Sequence, residues 1–141
     1  MSDFLRIKEI VPLVQEQVEC GGRFYLIPKG KSMLPTIKEG IDTVVLEKAT
    51  SLKKGDILLY KRKNGQYVLH RLLKIKDGNL TMCGDAQLNL ESDITERDVV
   101  AKVTEIIKQD KSILASSLKF KLSFKLITAK RILKKLYKKH P

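Results

Sequence analysis

The order of apolar and polar positions divides the chain into three stretches. Over residues 3–20, Phe4, Ile7, Val11, Val14 and Val18 recur at helical spacing, and Ile10 and Leu13 widen the stripe. Pro12 lies inside this run. It lacks an N–H and crowds the preceding turn, so it predicts a kink or a break into two short helices. Gly21-Gly22 supplies the stop. From Arg23 the pattern shortens to β-type runs, with strands predicted near 23–28, 42–47, 56–62, 66–76, 79–83 and 99–107, each rich in Val, Ile, Leu or Tyr. Lys29-Gly30 and Lys54-Gly55-Asp56 mark turns. Asn64-Gly65 and Asp77-Gly78 tolerate positive φ and predict two-residue hairpin turns, which makes 56–83 three antiparallel strands in succession. In the tail, residues 119–126 alternate with period two, whereas Leu126, Ala129, Leu133 and Leu136 share one helical face. A basic amphipathic helix over 125–139 is the favoured reading, with 112–124 left open.

The expected architecture is therefore mainly β with flanking helices: an N-terminal helical segment at 1–22, a β domain at 23–110 and a basic amphipathic tail at 111–141. The 141 residues suit one domain, and 43% apolar content provides a core. With no Trp and few aromatics, that core is expected to be aliphatic.

Charge sharpens this division. From Lys111 to Pro141 there are ten Lys and Arg and no acid, while residues 1–110 hold the other 18 basic residues and all 16 acids, a net of +2. The high pI belongs to the tail, not to the β region. No run approaches the roughly 18–20 uncharged apolar residues of a membrane span. Asp3, Arg6, Lys8 and Glu9 interrupt the N-terminus, so it does not read as a secretory signal. The expected location is the cytoplasm, with peripheral membrane contact through the tail as an option. Cys20 and Cys83 stand far apart, and the only histidines are His70 and His140. Two buried free thiols are expected, with neither a zinc site nor a disulfide framework, and no cofactor is implied.

Three short stretches carry candidate chemistry. In Gly30-Lys31-Ser32-Met33-Leu34-Pro35-Thr36 a serine follows a predicted strand and enters a turn restricted by Pro35. Such a turn fixes the Ser32 hydroxyl as a nucleophile and the Ser32 N–H as an oxyanion donor, while Gly30 lets a substrate backbone approach. Lys31, Met33 and Pro35 complete this candidate oxyanion and substrate-binding segment. Taken alone, the stretch also reads as a loop with a capping serine. In Tyr67-Val68-Leu69-His70-Arg71-Leu72-Leu73, His70 lies 38 residues after Ser32 and is the one histidine of the β region. Its neutral-range pKa suits a general base, although a lone strand histidine is more often structural. In Thr81-Met82-Cys83-Gly84-Asp85-Ala86-Gln87, Asp85 is a candidate acceptor for the His70 Nδ1–H, with Glu91 and Asp93 competing for that role.

Together with Glu39-Gly40-Ile41-Asp42-Thr43-Val44-Val45, Lys54-Gly55-Asp56-Ile57-Leu58-Leu59-Tyr60 and Val99-Val100-Ala101-Lys102-Val103, these motifs resemble the type I signal peptidase superfamily over residues 26–107. The resemblance implies a signal-peptidase or SOS-repressor-protease-like β-fold. It also implies a serine endopeptidase of the histidine-based, endoplasmic-reticulum and archaeal type, with Ser32 as nucleophile, His70 as base, and Asp85 and Glu91 as assisting acids. The implied substrate is an extended leader or signal peptide cut after small residues. The chain departs from the superfamily in lacking an N-terminal membrane anchor. It also has Gly30 where some members place an oxyanion-hole hydroxyl, and a short 84–98 segment that leaves no space for an extra β subdomain. Two other readings stay open. One is a catalytically silent peptide binder of the same fold. The other is a self-cleaving regulator, disfavoured because neither a helix-turn-helix nor an Ala-Gly pair precedes Ser32. For the tail, an anionic membrane face, nonspecific nucleic acid (the weaker partner reading) and simple packing on the sheet compete.

Overall fold

The computed structural model describes residues 3–139. Its elements are α1 (Asp3–Glu19), β1 (Phe24–Leu26), β2 (Thr43–Glu47), β3 (Ile57–Lys61), β4 (Tyr67–Lys76), β5 (Asn79–Cys83), β6 (Glu91–Thr95), β7 (Val99–Ile107), β8 (Ser112–Leu114) and α2 (Leu118–Lys139). A 3₁₀ turn at Glu96–Asp98 leads into β7. The strands form one sheet in the order β1-β2-β7-β3-β4-β5-β6, with β8 added to β7, and every pairing is antiparallel. The mainly β architecture with a helix at each end is the one the patterning predicts.

α1 is a single helix with Pro12 inside it, not two short ones. Val11, Val14 and Val18 are buried whereas Pro12 is exposed. The proline ring thus takes its place on the outward side of the helix, away from the core. The side chains of Phe4 and Ile7, also assigned to this stripe, lie outside the described residues.

The six predicted strands form, most of them within a residue or two of the expected limits. β6 and β8 are additional. The β3–β4 connection corrects one expectation: Lys61 pairs with Tyr67, and Gly65 N–H donates to Arg62 O (2.9 Å) while Arg62 N–H donates to Gln66 O (2.7 Å). This is a three-residue turn, Lys63-Asn64-Gly65, with Gly65 at φ 91° in its last place, not a two-residue loop. Asp77-Gly78 does form the two-residue turn, both residues at positive φ between paired Lys76 and Asn79.

Alternation along the strands gives the sheet two apolar faces. One face packs Ile57, Leu59, Val44, Leu46 and Val103 against α1 and against Phe120 of α2. The other gathers Leu58, Tyr60, Leu72, Leu80, Met82 and Ile94. Cys83 is buried, but Cys20 is exposed after α1, so the expectation of two buried thiols holds for one of them.

α2 begins seven residues earlier than the favoured 125–139 range. Its buried residues are Phe120, Ile127 and Arg131. Leu126, Ala129, Leu133 and Leu136, the face read from the sequence, point outward and are exposed. Among the described residues no helix is long and apolar enough to cross a membrane.

Candidate active site

Ser32 sits in the turn that follows β1. Gly30 enters it at φ 95° and donates its N–H to the Glu39 carboxylate at 2.6 Å. Gly40 N–H returns to Pro28 O (3.1 Å), and Ile37 N–H donates to Met33 O (2.9 Å). Met33 and Ile37 are buried in the core face under α1, so the turn is pinned from beneath by apolar packing. The Ser32 carbonyl accepts the Ala86 N–H at 2.9 Å. A Cβ on Gly84 would come within 2.6 Å of that same carbonyl, so the Gly84–Gln87 turn reaches the serine only because residue 84 has no side chain. Among the described residues the Ser32 N–H has no acceptor.

The serine opens onto a largely apolar groove of about 440 Å³ between α1, the β1 segment and the start of β4, lined by Ile10, Val14, Phe24, Leu26, Leu59, Tyr67, Val68 and Leu69 among others. Two strand edges border it. Among the described residues β1 pairs only with β2. β4 meets β5 from Arg71 onward, so Tyr67–His70 are paired on the β3 side alone. Gly30 and Met33 line this groove with Ser32. Lys31 is exposed, and Pro35 borders two depressions against α2 instead.

His70 lies at the end of that free edge. Arg71 pairs with Cys83, and continuing the register by one residue brings Gly84 to the level of His70. The Ser32 backbone is thereby delivered to the flank of the histidine. The imidazole itself leaves β4 on the Leu58–Tyr60 side of the sheet, packed edge-on against Tyr60 with ring centroids 6.1 Å apart. It is 3% exposed. Among the described residues no hydrogen bond joins it to Ser32.

The partner of Nδ1 departs from expectation. Asp85 does not take it; the Tyr60 hydroxyl lies 3.1 Å from Nδ1 and donates to Glu91 Oε1 at 2.6 Å. Glu91 Oε1 is itself 3.5 Å from Nδ1. Arg62 clamps Glu91 through Nε to Oε2 (2.8 Å) and Nη2 to Oε1 (3.0 Å). With the single hydroxyl proton committed to Glu91, the Nδ1–H is the donor toward Tyr60, and Nε2 keeps its lone pair. Burial lowers the pKa of His70, helped by the Arg62 charge and opposed by Glu91. Burial and the Glu91 carboxylate raise that of Tyr60. Burial pushes Glu91 upward, but hydrogen bonds from Arg62 and Tyr60 outweigh it and hold the carboxyl below its usual range. The network thus sets an ionised Glu91, a neutral Tyr60 and a neutral His70 at pH 7.

Asp85 has a different place. It forms a fully buried pair with Arg71, Nη2 to Oδ2 at 2.7 Å and Nε to Oδ1 at 3.2 Å, and accepts the Thr36 hydroxyl. Arg71 also donates to Gly55 O (3.0 Å), and its guanidinium lies 4.9 Å from the Phe120 ring centre and 5.6 Å from that of Phe124. Arg131 of α2 donates to Gly84 O (3.3 Å) and Gln87 O (3.2 Å). Asp85 therefore fixes the two sides of the serine turn, Thr36 and the Gly84–Gln87 segment, while Glu91 serves the histidine. Asp93, the remaining candidate, is exposed and is not among the groups around His70.

Sequence reasoning did not single out Tyr60, Arg62, Thr36 or Arg131. The first of these was within reach: with Leu58 opposite His70, residue 60 is the diagonal neighbour on the same face.

Two comparisons with known proteins bear on this arrangement. Residues 4–106 match the family model described as Peptidase S24-like. No curated protein matches the chain.

Proposed function

The chain belongs to the Peptidase S24-like family of serine peptidases, and on that premise we propose that it cleaves an extended leader or signal-type peptide in trans, with Ser32 as nucleophile and His70 as general base. The observation that carries this reading is the placement of Ser32 at the mouth of an apolar groove bounded by two unpaired strand edges. A peptide entering it gains main-chain hydrogen bonds from β1 or from Tyr67–His70, and the apolar walls select small or apolar side chains. Ser32 Oγ attacks the scissile carbonyl and its proton passes to His70 Nε2. The oxyanion is received by the Ser32 N–H. The acyl-enzyme is then released by water that His70 deprotonates.

The Tyr60–Glu91 pair supports the base role, because it holds the proton on Nδ1 and offers negative charge behind the imidazolium that forms. The reading requires Ser32 and His70 to close into a hydrogen bond around substrate, as catalytic hydrogen bonds often tighten only in the complex. Cleavage in trans is supported by α1 and β1. The described residues upstream of Ser32 are largely committed to a helix packed on the core and to a sheet strand, which leaves little slack to enter the groove.

Fluorophosphonate labelling and peptide cleavage by wild type, Ser32→Ala and His70→Ala test the assignment. Both signals are expected to vanish in Ser32→Ala and to fall steeply in His70→Ala. Equal labelling of wild type and Ser32→Ala would remove the nucleophile. The absence of a Ser32–His70 hydrogen bond favours one second reading, a silent peptide binder. That reading wins if peptides bind in the groove with no Ser32-dependent turnover at any pH.

A further inference from the structure

Once α2 has docked, it retains a complete second apolar face. Phe120, Phe124, Ile127 and Arg131 turn inward to the sheet and the Gly84–Gln87 turn. On the opposite side Leu118, Leu122, Leu126, Leu133 and Leu136 follow one another at intervals of one or two helical turns, and each is at least 49% exposed. Ala129 fills the gap between Leu126 and Leu133 and is also exposed. At 3.6 residues per turn Lys121 and Lys125 fall along one margin of this stripe, and Lys119 and Lys130 along the other. All four lysines are exposed, and no acid occurs from Lys111 to the end of the chain.

We propose that this outward face of α2 docks the protein on an anionic phospholipid surface, with the leucine stripe set among the acyl chains and the lysine margins at the headgroups. Charge decides among the occupants of such a face. A second copy would bring two lysine margins together with no acid in either helix to offset them. Nucleic acid would use the lysines but leave the leucines in water. An anionic bilayer satisfies both, and the helix lies parallel to the surface because it is too polar to cross. This inference goes beyond the peptidase reading and does not depend on it, since its test reads no activity.

The test is co-sedimentation of the full chain with vesicles of phosphatidylcholine alone or with one third phosphatidylglycerol. Wild type is expected to pellet with the anionic vesicles only, and to be released by high salt. Replacing Leu122, Leu126, Leu133 and Leu136 together by serine should reduce partitioning at least about ten-fold. A second variant with Lys119, Lys121, Lys125 and Lys130 changed to glutamine should lose about five-fold per charge. Both sets are exposed, so unchanged urea midpoints are expected for both variants. Three outcomes would overturn the proposal: wild type remaining in the supernatant, equal pelleting by wild type and the serine variant, or a leucine-dependent dimer that forms while no vesicle is bound.

Discussion

Tyr60→Phe tests the site at the point where its geometry is least expected. The substitution removes one oxygen, the one that accepts from His70 Nδ1 at 3.1 Å and donates to Glu91 at 2.6 Å. The ring itself, fully buried against Leu58, Leu72 and the rest of that apolar cluster, is kept. Glu91 retains both bonds from Arg62, so the carboxylate is not orphaned, and the expected stability loss is about 1–2 kcal/mol. The histidine fares worse. At 3.5 Å, Glu91 is too far to replace the hydroxyl as a direct partner, and at 3% exposure water has little access to Nδ1. The hydrogen bond that fixes the tautomer and stabilises the imidazolium is lost. A contribution of about 1–3 kcal/mol to the transition state corresponds to roughly 5- to 150-fold in rate. The measurement is the second-order rate constant for fluorophosphonate labelling of Ser32 from pH 5 to 9, with thermal melts as a control and Ser32→Ala as the blank. Labelling of Tyr60→Phe within two-fold of wild type across that range, in a protein of near-native stability, would refute the relay.

Other consequences follow from the same contacts. Because burial and Arg62 depress the His70 pKa, labelling should stay maximal down to a limb below 6.5, and Arg62→Gln should move that limb upward; an unmoved or lowered limb would contradict the assigned cause. Asp85→Asn or Arg71→Met leaves one partner of a fully buried pair alone and should cost about 3–5 kcal/mol, read as a lower urea midpoint. His70 has a depressed folded-state pKa, as do Glu91 and Asp42, so the unfolded chain binds protons first as pH falls. Stability should therefore be fullest above pH 6.5, decline below it through His70, and fall further below about 4.5 through the two carboxylates, as urea titrations at stepped pH would show.

The strand positions were legible because alternation and turn residues agree over 23–107. β6 and β8 were not. In Glu91–Thr95 only Ile94 is buried, and three-residue β8 exists by pairing with β7, which no local signal announces. The hairpin at Asn64-Gly65 shows the limit of a dipeptide signal: it locates the turn, but the partner register of Lys61 and Tyr67 sets its length. For α2 the sequence displayed an apolar face correctly but not its destination. The helix docks through two phenylalanines around Arg71 and through Arg131 on backbone carbonyls, and aliphatic periodicity does not register such contacts. In the site, Ser32, His70 and Glu91 were singled out by residue type, order and resemblance. Which of Asp85, Glu91 and Asp93 stands by the histidine stayed open, because a Gly-Asp turn looks the same whether its carboxylate faces a histidine or an arginine.

The division of labour between Asp85 and Glu91 organises the site around two separate anchors. The proposed base, His70, is set from one sheet face by Tyr60, Glu91 and Arg62. The proposed nucleophile is set from the other, through Ser32 O on Ala86 N–H, Thr36 on Asp85, and Asp85 on Arg71. Arg71 and His70 are adjacent residues of β4 and necessarily point to opposite faces, so this one strand holds the base on one side and the support of the nucleophile on the other. Any shift of β4 along its length moves both together and preserves their spacing, whereas a shift of the Gly84–Gln87 turn changes it. From outside the sheet that turn is held by the serine segment, through Ser32 O and Thr36, and by Arg131 of α2, and the outward face of the same helix carries the leucine stripe. A force applied to α2 at a lipid surface is therefore transmitted to the Gly84–Gln87 turn, whose Ala86 N–H holds the Ser32 carbonyl. Arg131→Gln, which keeps the helix but releases the turn, is the substitution expected to weaken labelling of Ser32 while leaving vesicle binding intact.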